Sequence, residues 1–531
     1  MINSAAAMLT DMQTAPREGP SGTAPDRAAQ GAVRQAANST AYTAADVAAH
    51  QPANGAGAER EPANAAMHQP ANGAGAGHEP ANATTHQPAN GVAHQTDIIV
   101  IGGGPAGSSA AIVLAERGHR VVQLEKSRHP RFHIGESLLP ANLPLFERLG
   151  VAAEVRAIGM RKWGAEFVSP WHGGRGETFN FNEGWNKSLP FAYQVRRSEF
   201  DEILIRRSAQ QGAQVLEGCR ARDVEFLPEG HPDDMRVRVT AENDDGSSVC
   251  WLARYVVDAS GRDTLLGNQL RSKHRNSKHN SAALYGHFRD AERYPDEKRA
   301  GNISIYWFEH GWLWFIPLSD GATSVGAVVW PYYMKSRKVP VRDFFLDTIA
   351  MCAPLAKRLA NAELVSNVEA TGNYSYSCDR SYGPGFVLAG DAFTFIDPMF
   401  SSGVLMAMVN GVAAAEALDT CLRQPEKYAA AMKEFDRVVR HGPKEYSWFI
   451  YRITNPTMRD LFMAPRNDLR MKEAMLGLLA GDIYGDTPIW RSLRAFKAVY
   501  YVFSTFSLKR SIRASRQRAA NIRPDEPMEP A

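Results

Sequence analysis

Cysteines are few in this sequence, and none is spaced for a shared function. Five are scattered through 531 residues, and no Cys-x-x-Cys pair occurs. This pattern excludes a disulfide framework and a cysteine-based zinc site, and it fits a reducing cytoplasm. We therefore expect a cytoplasmic protein without a metal centre.

A strong charge imbalance, a long apolar run and a secretory leader are also lacking. The formal net charge is only +3, which gives no reason to expect nucleic-acid binding. No apolar run reaches the ~18 residues needed to span a bilayer. The N-terminus has neither the basic start nor the apolar core of a signal peptide. We expect a soluble protein with no membrane span and no nucleic-acid partner.

Large apolar residues are almost absent from residues 1–96. The triplet Pro-Ala-Asn recurs there at 52, 62, 70, 80 and 88, so an 18-residue unit has been duplicated. Such a segment cannot offset the entropy lost on ordering, and its repeats lack the hydrophobic face of a solenoid. The pattern predicts a disordered extension. Its histidines are read as polar filler, with metal binding as the alternative.

Ordered sequence begins at residue 97 with the pattern of a nucleotide-binding unit. A short apolar strand at 97–101 leads into the run Gly-Gly-Gly-Pro-Ala-Gly at 102–107, an Ala-rich helix, and a second strand that finishes on Glu125. Glycines let the backbone approach a pyrophosphate at the helix N-terminus, where free N–H groups favour anions. Glu125 is then placed to hold ribose hydroxyls. The alternative is an ordinary βαβ turn. The candidate pyrophosphate-binding residues are Gly102, Gly104, Pro105, Ala106 and Gly107.

Three later segments indicate which dinucleotide is bound. They are Gln-Val-Arg-Arg-Ser-Glu-Phe-Asp at 194–201, Val-Val-Asp-Ala-Ser-Gly-Arg at 256–262 and Phe-Val-Leu-Ala-Gly-Asp-Ala at 386–392. They resemble fingerprints of the glutathione-reductase-like FAD enzymes of the aromatic-hydroxylase type. The resemblance implies a bound FAD, with Asp391 at the ribityl chain and Arg197 at the cofactor. It adds Asp258 and Gly390 as further cofactor-binding residues.

Two tryptophans, Trp312 and Trp314, are not needed to hold a flavin. At strand spacing they project to the same face, and buried beside a cofactor they would form a bulky, apolar wall. Such a wall could separate an organic substrate from the flavin while letting a small species pass. The alternative is that a half-buried strand simply favours aromatic residues.

Three more segments accompany the tryptophan pair: 132–140, which contains Gly-Glu-Ser, 162–167, which begins Lys-Trp-Gly-Ala, and 395–404, which contains Ser-Ser-Gly. Together the four resemble the FAD-dependent halogenases, in the branch that acts on phenols, pyrroles and related activated carbons. The likeness covers the chain after residue 96. It implies an α/β, glutathione-reductase-like Rossmann FAD fold with a β-sheet substrate domain and a C-terminal helical region. We divide the chain at 1–96, 97–420, 421–518 and a disordered tail, 519–531.

The resemblance also implies catalytic roles. Lys162 would deliver hypohalous acid to the substrate, because a lysine desolvated in an apolar pocket loses pKa and becomes a nucleophilic amine; the alternative is a surface lysine. Ser402 and Gly403 would place backbone N–H groups at a halide, or would merely cap a helix that runs from 404 to about 418. Glu136 and Ser137 would lie at the flavin edge, although Glu136 could instead cap a helix.

The expected activity is chlorination of an electron-rich aromatic or enol-type carbon in secondary-metabolite biosynthesis, through a flavin hydroperoxide and hypohalous acid, with chloride or bromide as the co-substrate. FAD would be reduced by a separate flavin reductase, and the substrate would be free or a carrier-protein thioester. Tryptophan-type relatives have a glutamate where this chain has Phe400, so the substrate should carry its own activation. An FAD-dependent aromatic monooxygenase is the main alternative. The basic run at 509–518 is a solvated tail or a docking site for an acidic carrier.

Overall fold

The computed structural model describes residues 93–372 and 375–522, which belong to one compact unit. The predicted disorder of the N-terminal extension and of the last nine residues lies outside the described residues. The first described strand is His94–Ile101 and the last described helix is Leu508–Ile522, so described elements extend a few residues into both segments that were predicted to be disordered. The predicted boundary at residue 420 falls inside the helix Gly403–Arg423, and the domain division stays a prediction.

A first sheet of eight strands carries the nucleotide-binding pattern. In the order of strands across the sheet (its path), the strand that precedes the glycine turn lies near the centre. Neighbouring strands in this order run parallel, except for the antiparallel pair at one edge. Parallel strands bring their carboxyl ends to a common edge, which is where such sheets bind ligands. In order along the path the strands are Tyr382–Gly383, Phe386–Leu388, Ser248–Asp258, His94–Ile101, Val121–Glu125 and Gln214–Glu217, with Cys219–Phe226 and Val237–Asn243 as a flanking pair.

Helices cover the first sheet with small and apolar residues. The helix Pro105–Glu116 is buried along most of its length because Ala, Gly and Ser allow close packing against the strands and against the helix Gly403–Arg423. Further helices in this part of the chain are Leu143–Leu149, Ala152–Ile158, Arg197–Gln210 and Leu265–Gln269. The predicted Rossmann-type α/β unit is therefore present.

A second sheet of eight strands carries the two tryptophans. All but one of its strand pairs are antiparallel, and both faces are covered, so even its polar positions are largely buried. Its strands, along the path, are Glu363–Leu364, Ala282–Arg289, Thr323–Val329, Gly311–Pro317, Ile303–Phe308, Gly164–Ser169 and Arg175–Asn180, with Glu369–Thr371 pairing beside Ala282–Arg289. Smaller pairings join Met160–Lys162 to Ala192–Gln194, and Lys273–Arg275 to Tyr376–Cys378 and Thr394–Phe395.

Two groups of helices enclose the second sheet. One face packs against the helices Val341–Ala350 and Ala353–Arg358, and the face that bears the tryptophans packs against the C-terminal helices in a separate apolar cluster. The C-terminal helices are Tyr428–Ile450, Pro456–Met463, Met471–Ala480, Ile489–Phe506 and Leu508–Ile522. Short helices at Glu297–Ala300 and Pro331–Lys335 complete this region. The predicted second sheet and C-terminal helical region are confirmed as parts of the fold, and the substrate-binding role of the sheet stays a prediction.

One helix, Gly403–Arg423, has the length and apolar composition of a membrane span, which corrects the expectation that no apolar run is long enough. Of its apolar window, 72% is buried inside the structure. A core helix of a soluble protein passes the same test of length and composition, so this helix gives only weak evidence for a membrane.

Candidate active site

A cavity of about 840 Å³ opens where the first sheet meets the tryptophan-bearing sheet. Its wall combines the glycine turn, the Gly-Glu-Ser segment, the start of the helix Gly403–Arg423 and both tryptophans. Of the predicted site residues, those that line it are Gly102, Gly104, Pro105, Ala106, Glu125, Glu136, Ser137, Arg197, Trp312, Trp314, Asp391 and Gly403. Segments that are far apart in the chain therefore contribute to one space.

The glycine turn forms one end of the cavity. Gly102 has a φ of +113°, and a Cβ there would meet the carbonyl oxygen of Ala259 at 2.2 Å, so only glycine fits. Gly104 precedes the helix Pro105–Glu116 in an extended conformation, and no side chain caps the helix. The N–H groups of the first turn are thus free for an anion. Gly107 lies behind the wall, because a Cβ on it would meet the carbonyl oxygen of Gly102 at 2.1 Å.

Glu125 is buried at the end of its strand, with 4% of its surface exposed. Its Oε2 accepts a hydrogen bond from the Gly103 N–H at 2.6 Å, and its Oε1 accepts one from the Ser127 N–H at 2.9 Å. The carboxylate therefore anchors the glycine turn as well as lining the cavity, a role that sequence reasoning did not include.

Asp391 and Arg197 both line the cavity. Burial raises the pKa of Asp391 to about 6, although Arg197 and Arg262 nearby oppose the rise. Arg197 is fixed by two hydrogen bonds to Asp201, at 2.8 and 3.0 Å, and by one to the Ile134 carbonyl at 2.8 Å. This fixed guanidinium is suited to meet an anionic or carbonyl group of a ligand without further ordering.

Asp258 and Gly390 are not among the lining residues, although a direct cofactor contact was predicted for both. Asp258 is fully buried, and its carboxylate accepts hydrogen bonds from the N–H groups of Ser260 and Leu266 at 3.0 and 2.8 Å. Gly390 has a φ of +61° in the turn that presents Asp391. In the structure both residues shape loops behind the wall.

Glu136 of the Gly-Glu-Ser segment has a buried hydrogen-bond partner, His287, that sequence reasoning missed. Glu136 is 2% exposed, and the Nε2–H of His287 donates to its Oε1 at 2.9 Å. A carboxylate can only accept, so the imidazole must hold its hydrogen on Nε2. His287 lies in a strand of the second sheet, 151 positions away, and no motif surrounds it. Glu136 therefore lines the cavity and does not cap a helix.

Lys162 is buried at the end of the strand Met160–Lys162, with 1% of its surface exposed. Its Nζ donates to the Ser137 hydroxyl and to the Leu138 carbonyl, both at 2.9 Å, and lies 5.5 Å from the centre of the Phe181 ring. Burial lowers the pKa of Lys162 to about 7. The alternative prediction, that Lys162 is a surface lysine, is therefore wrong. Lys162 itself does not line the cavity and reaches the wall through Ser137.

Trp312 and Trp314 form an apolar part of the wall, as strand spacing predicts. Their ring centres are 5.9 Å apart, and both are 5% exposed. The Trp314 Nε1–H donates to the Ser324 hydroxyl at 3.2 Å. On the next strand Gly326 leaves the space that the ring fills, since a Cβ there would lie 2.2 Å from it. Both tryptophans belong to the same apolar cluster as the C-terminal helices.

The start of the helix Gly403–Arg423 faces the cavity. It begins one residue before the predicted position and continues to 423. A Cβ on Gly403 would meet nothing within 4 Å, so the space in front of its backbone is open. Ser402 is 1% exposed, and its Oγ has no hydrogen-bond partner among the described residues. Ser402 itself is not a lining residue, and its side chain does not cap the helix.

Two arginines of the wall were not singled out from sequence. Arg131 contacts Asp201 at 3.2 Å and lies 3.5 Å from Glu125. Arg262 donates to Thr371 and to the Gly372 carbonyl at 2.7 and 2.6 Å. The sequence contained a signal in each case, because Arg131 adjoins the Gly-Glu-Ser segment and Arg262 ends the segment 256–262. Together with Arg197 they make the cavity suitable for a phosphate-bearing ligand.

These features fit FAD. The cavity of about 840 Å³ is lined both by the glycine turn and by the tryptophans, and the free N–H groups and arginines match a pyrophosphate. A Cβ on Gly104 would find its nearest atom at 3.7 Å, so the backbone there is open to a close ligand. Trp312, Trp314 and Ile316 give the cavity an apolar and partly aromatic surface, which suits an isoalloxazine ring.

Comparison with known proteins agrees with this geometry. The family model described as Tryptophan halogenase matches residues 97–184 and 180–460. A 1H-pyrrole-2-carbonyl-[peptidyl-carrier protein] chlorinase of Pseudomonas fluorescens is 31% identical over 412 residues, which are 74% of this chain and 90% of the relative.

Solved structures are similar as well. The myxobacterial chondrochloren halogenase CndH, described as a variant of FAD-dependent halogenases, is 34% identical with a TM-score of 0.64, covering 75% of this chain and 93% of CndH. A flavoprotein/dehydrogenase of Cytophaga hutchinsonii is 27% identical with a TM-score of 0.70, covering 78% of this chain and all of that one.

Proposed function

From the premise that the chain belongs to the tryptophan halogenase family, the flavin-dependent halogenases, we propose that Lys162 delivers the halogen to an electron-rich aromatic substrate. The predictions of a halogenase, of FAD as its cofactor and of a halide as co-substrate are confirmed by this membership. The observation that carries the proposal is the buried, hydrogen-bonded amine of Lys162 next to the cavity wall.

When bound, reduced FAD supplies with O2 the oxidising equivalent that converts a halide ion into hypohalous acid. The glycine turn and the first turn of the helix Pro105–Glu116 would hold the pyrophosphate. Glu125 would accept from the adenosine ribose, and Asp391 with Arg197 would contact the ribityl chain and the flavin. The free N–H groups at Ser402 and Gly403 would hold the halide, because the helix dipole favours an anion at that end.

Lys162 has the properties that halogen transfer requires. With a pKa lowered to about 7 by burial, a large fraction of its amine is neutral near pH 7. The neutral nitrogen has a lone pair that can take chlorine from hypochlorous acid, forming an N–Cl bond and releasing water. Its hydrogen bonds to Ser137 and Leu138 aim that nitrogen. The amine is recovered when the aromatic carbon takes the chlorine and loses its proton.

Trp312 and Trp314 would keep the substrate apart from the flavin. Their apolar rings, tilted by 49° to each other, line the cavity and belong to the cluster formed with the C-terminal helices. Water and bulky molecules are excluded from such a surface, whereas hypohalous acid is small and neutral. The separation would favour halogenation over direct oxygen transfer.

The substrate proposed is a pyrrole or phenol, bound as a thioester to a carrier protein. Phe400 supports this choice, since it is 3% exposed and packs near the rings of Tyr446 and Phe449, at 6.2 and 6.3 Å, and brings no carboxylate to activate a less reactive ring. The Pseudomonas relative is named for a pyrrole on a carrier protein. The basic helix Leu508–Ile522 would meet the acidic carrier. A separate flavin reductase would reduce the FAD in the cytoplasm.

Turnover of matched variants tests the assignment. Purified protein is incubated with a flavin reductase, NADH, FAD, chloride and a panel of phenols and carrier-bound pyrroles. Lys162→Met keeps the buried volume and removes the amine, so it should lose at least about 99% of chlorination, a factor worth ~3 kcal/mol, while still reoxidising reduced flavin. Arg161→Met changes the exposed neighbour on the same strand and should chlorinate normally.

Two outcomes would contradict the proposal. Wild-type chlorination by Lys162→Met would remove Lys162 from catalysis. A hydroxylated product formed without chloride would instead indicate an aromatic monooxygenase. Omitting the carrier while supplying the free acid separates tethered from free substrates.

A further inference from the structure

An arginine near the end of the chain reaches a buried histidine and aspartate close to the cavity. Arg518, on the helix Leu508–Ile522, donates from Nη2 to His279 Nδ1 at 3.0 Å and to the Lys278 carbonyl at 2.8 Å. On the other side of the ring, Nε2 of His279 lies 2.9 Å from Asp397 Oδ2. His279 is 5% exposed and Asp397 is 2% exposed.

The arginine determines which ring nitrogen of His279 carries the hydrogen. A guanidinium can only donate, so Nδ1 of His279 must accept and its hydrogen must lie on Nε2. That hydrogen is then donated to Asp397. The Ser281 hydroxyl donates to the same oxygen at 3.2 Å, and the Met399 N–H donates to Oδ1 at 3.1 Å. Both oxygens of the carboxylate are therefore engaged, and its orientation is fixed.

Asp397 begins the loop that presents the predicted halide site. The turn Pro398–Phe400 follows it, and Ser401 then adopts a φ of +55° before the helix starts at Gly403. Pro398, Ser401 and Gly403 all line the cavity. A rotation of the Asp397 side chain would release the Met399 N–H and shift this loop, because the hydrogen bond between them closes its first turn.

Stability alone does not account for Arg518. Burial lowers its pKa to about 10, so it stays charged at pH 7. Its guanidinium lies over the rings of Trp330 and Tyr451 at 5.5 and 5.6 Å, and its Nη1 has no partner in the described part of the chain. A partly buried charge with a buried, unsatisfied donor is unfavourable compared with a well-packed apolar side chain.

We propose that Arg518 is a positioning residue that holds the loop 397–403 against the flavin through His279 and Asp397. The C-terminal helix is thereby part of the construction of the active site. The inference rests on the proposed function only in assigning this loop to the flavin and the halide.

The test compares Arg518→Met with Arg494→Met in the full-length protein. Methionine fills the space over the two rings without the charge, and Arg494 is an exposed arginine on the preceding helix, Ile489–Phe506. FAD binding is measured by flavin fluorescence, and the KM for chloride is measured separately. Arg518→Met should raise the dissociation constant for FAD and the KM for chloride by about fivefold each, which corresponds to ~1 kcal/mol. Arg494→Met should change neither.

An unchanged FAD dissociation constant and chloride KM in Arg518→Met, with only a lower melting temperature, would overturn the inference. If Arg518→Met does not fold, Arg518→Lys decides in its place, because lysine keeps the charge but its side chain ends one atom short of Nη2, the atom that makes both hydrogen bonds; unchanged constants there would likewise overturn it. The two proposals can also fail separately. If the wild type makes no halogenated product but Arg518→Met still binds FAD more weakly than the wild type, the proposed function is refuted and the inference about Arg518 stands.

Discussion

Replacing Lys162 by methionine should make the protein more stable at neutral pH while abolishing halogen transfer. The amine is 1% exposed, and burial lowers its pKa from 10.5 to about 7. A shift of that size means that the native state holds the charged form poorly compared with the unfolded chain. Methionine has nearly the same length and no charge to bury.

The magnitude follows from the shift. At 1.36 kcal/mol per pH unit, the penalty carried by Lys162 at pH 7 is ~4 kcal/mol. Methionine removes it but leaves the Ser137 hydroxyl and the Leu138 carbonyl without their donor, at a cost of ~2 kcal/mol. The net expectation is a gain of ~2 kcal/mol, or a rise in Tm of ~2 °C in a chain of this size. The buried amine that catalysis requires therefore lowers the free energy of unfolding of the wild-type protein.

The pH dependence tests the cause. A base whose pKa is lowered by folding is protonated in the unfolded chain but not in the native protein between about pH 7 and 10.5, so wild-type stability rises with pH in that window. The advantage of Lys162→Met should be full below pH 7 and should shrink to about zero by pH 9. Urea or thermal unfolding at pH 6, 7, 8 and 9 measures it, with Arg161→Met as the control. A variant no more stable than wild type at pH 7, with a difference that does not change with pH, would refute the reasoning.

Three further changes test other parts of the site. Gly102→Ala should abolish FAD binding, because its Cβ would lie 2.2 Å from the Ala259 carbonyl oxygen; protein purified with its normal flavin content would contradict this. Trp312→Ala should lower the free energy of unfolding by ~3 kcal/mol and reduce the chlorinated product formed per flavin oxidised, and an unchanged ratio would remove Trp312 from the barrier. Glu136→Ala should cost ~2 kcal/mol because His287 loses its buried acceptor, whereas Glu136→Gln should recover most of it in the same denaturation assay; equal losses would show that this hydrogen bond does not matter.

Local patterns were enough to predict the first part of the fold. The strand, glycine turn and helix at 97–117 appear within a few residues of their predicted limits because each depends on near neighbours: a φ of +113° that requires Gly102, and a helix of small residues that can pack closely. The tryptophan pair was predicted to share a face for the same reason, since side chains two apart in a strand point the same way.

The roles of residues that depend on how deeply the side chain is buried were harder to predict from the sequence. Asp258 and Gly390 belong to recognisable fingerprints, but a motif does not say whether a side chain faces the ligand or the loop behind it. Asp258 is fully buried and satisfied by backbone N–H groups. Lys162 is the opposite case. Its position beside Arg161 in the sequence is also compatible with a surface lysine, and only the surrounding fold shows that its amine is buried.

The amino-acid sequence by itself determined the FAD unit, the halogenase family and the residues from which an active site would be built, because these are encoded in short runs whose backbone needs are local. Only the tertiary structure decided which groups meet. The pair Glu136–His287 and the contacts of Arg518 with His279 join residues 151 and 239 positions apart. Such partners come together through the packing of whole sheets and helices, and no spacing along the chain encodes them.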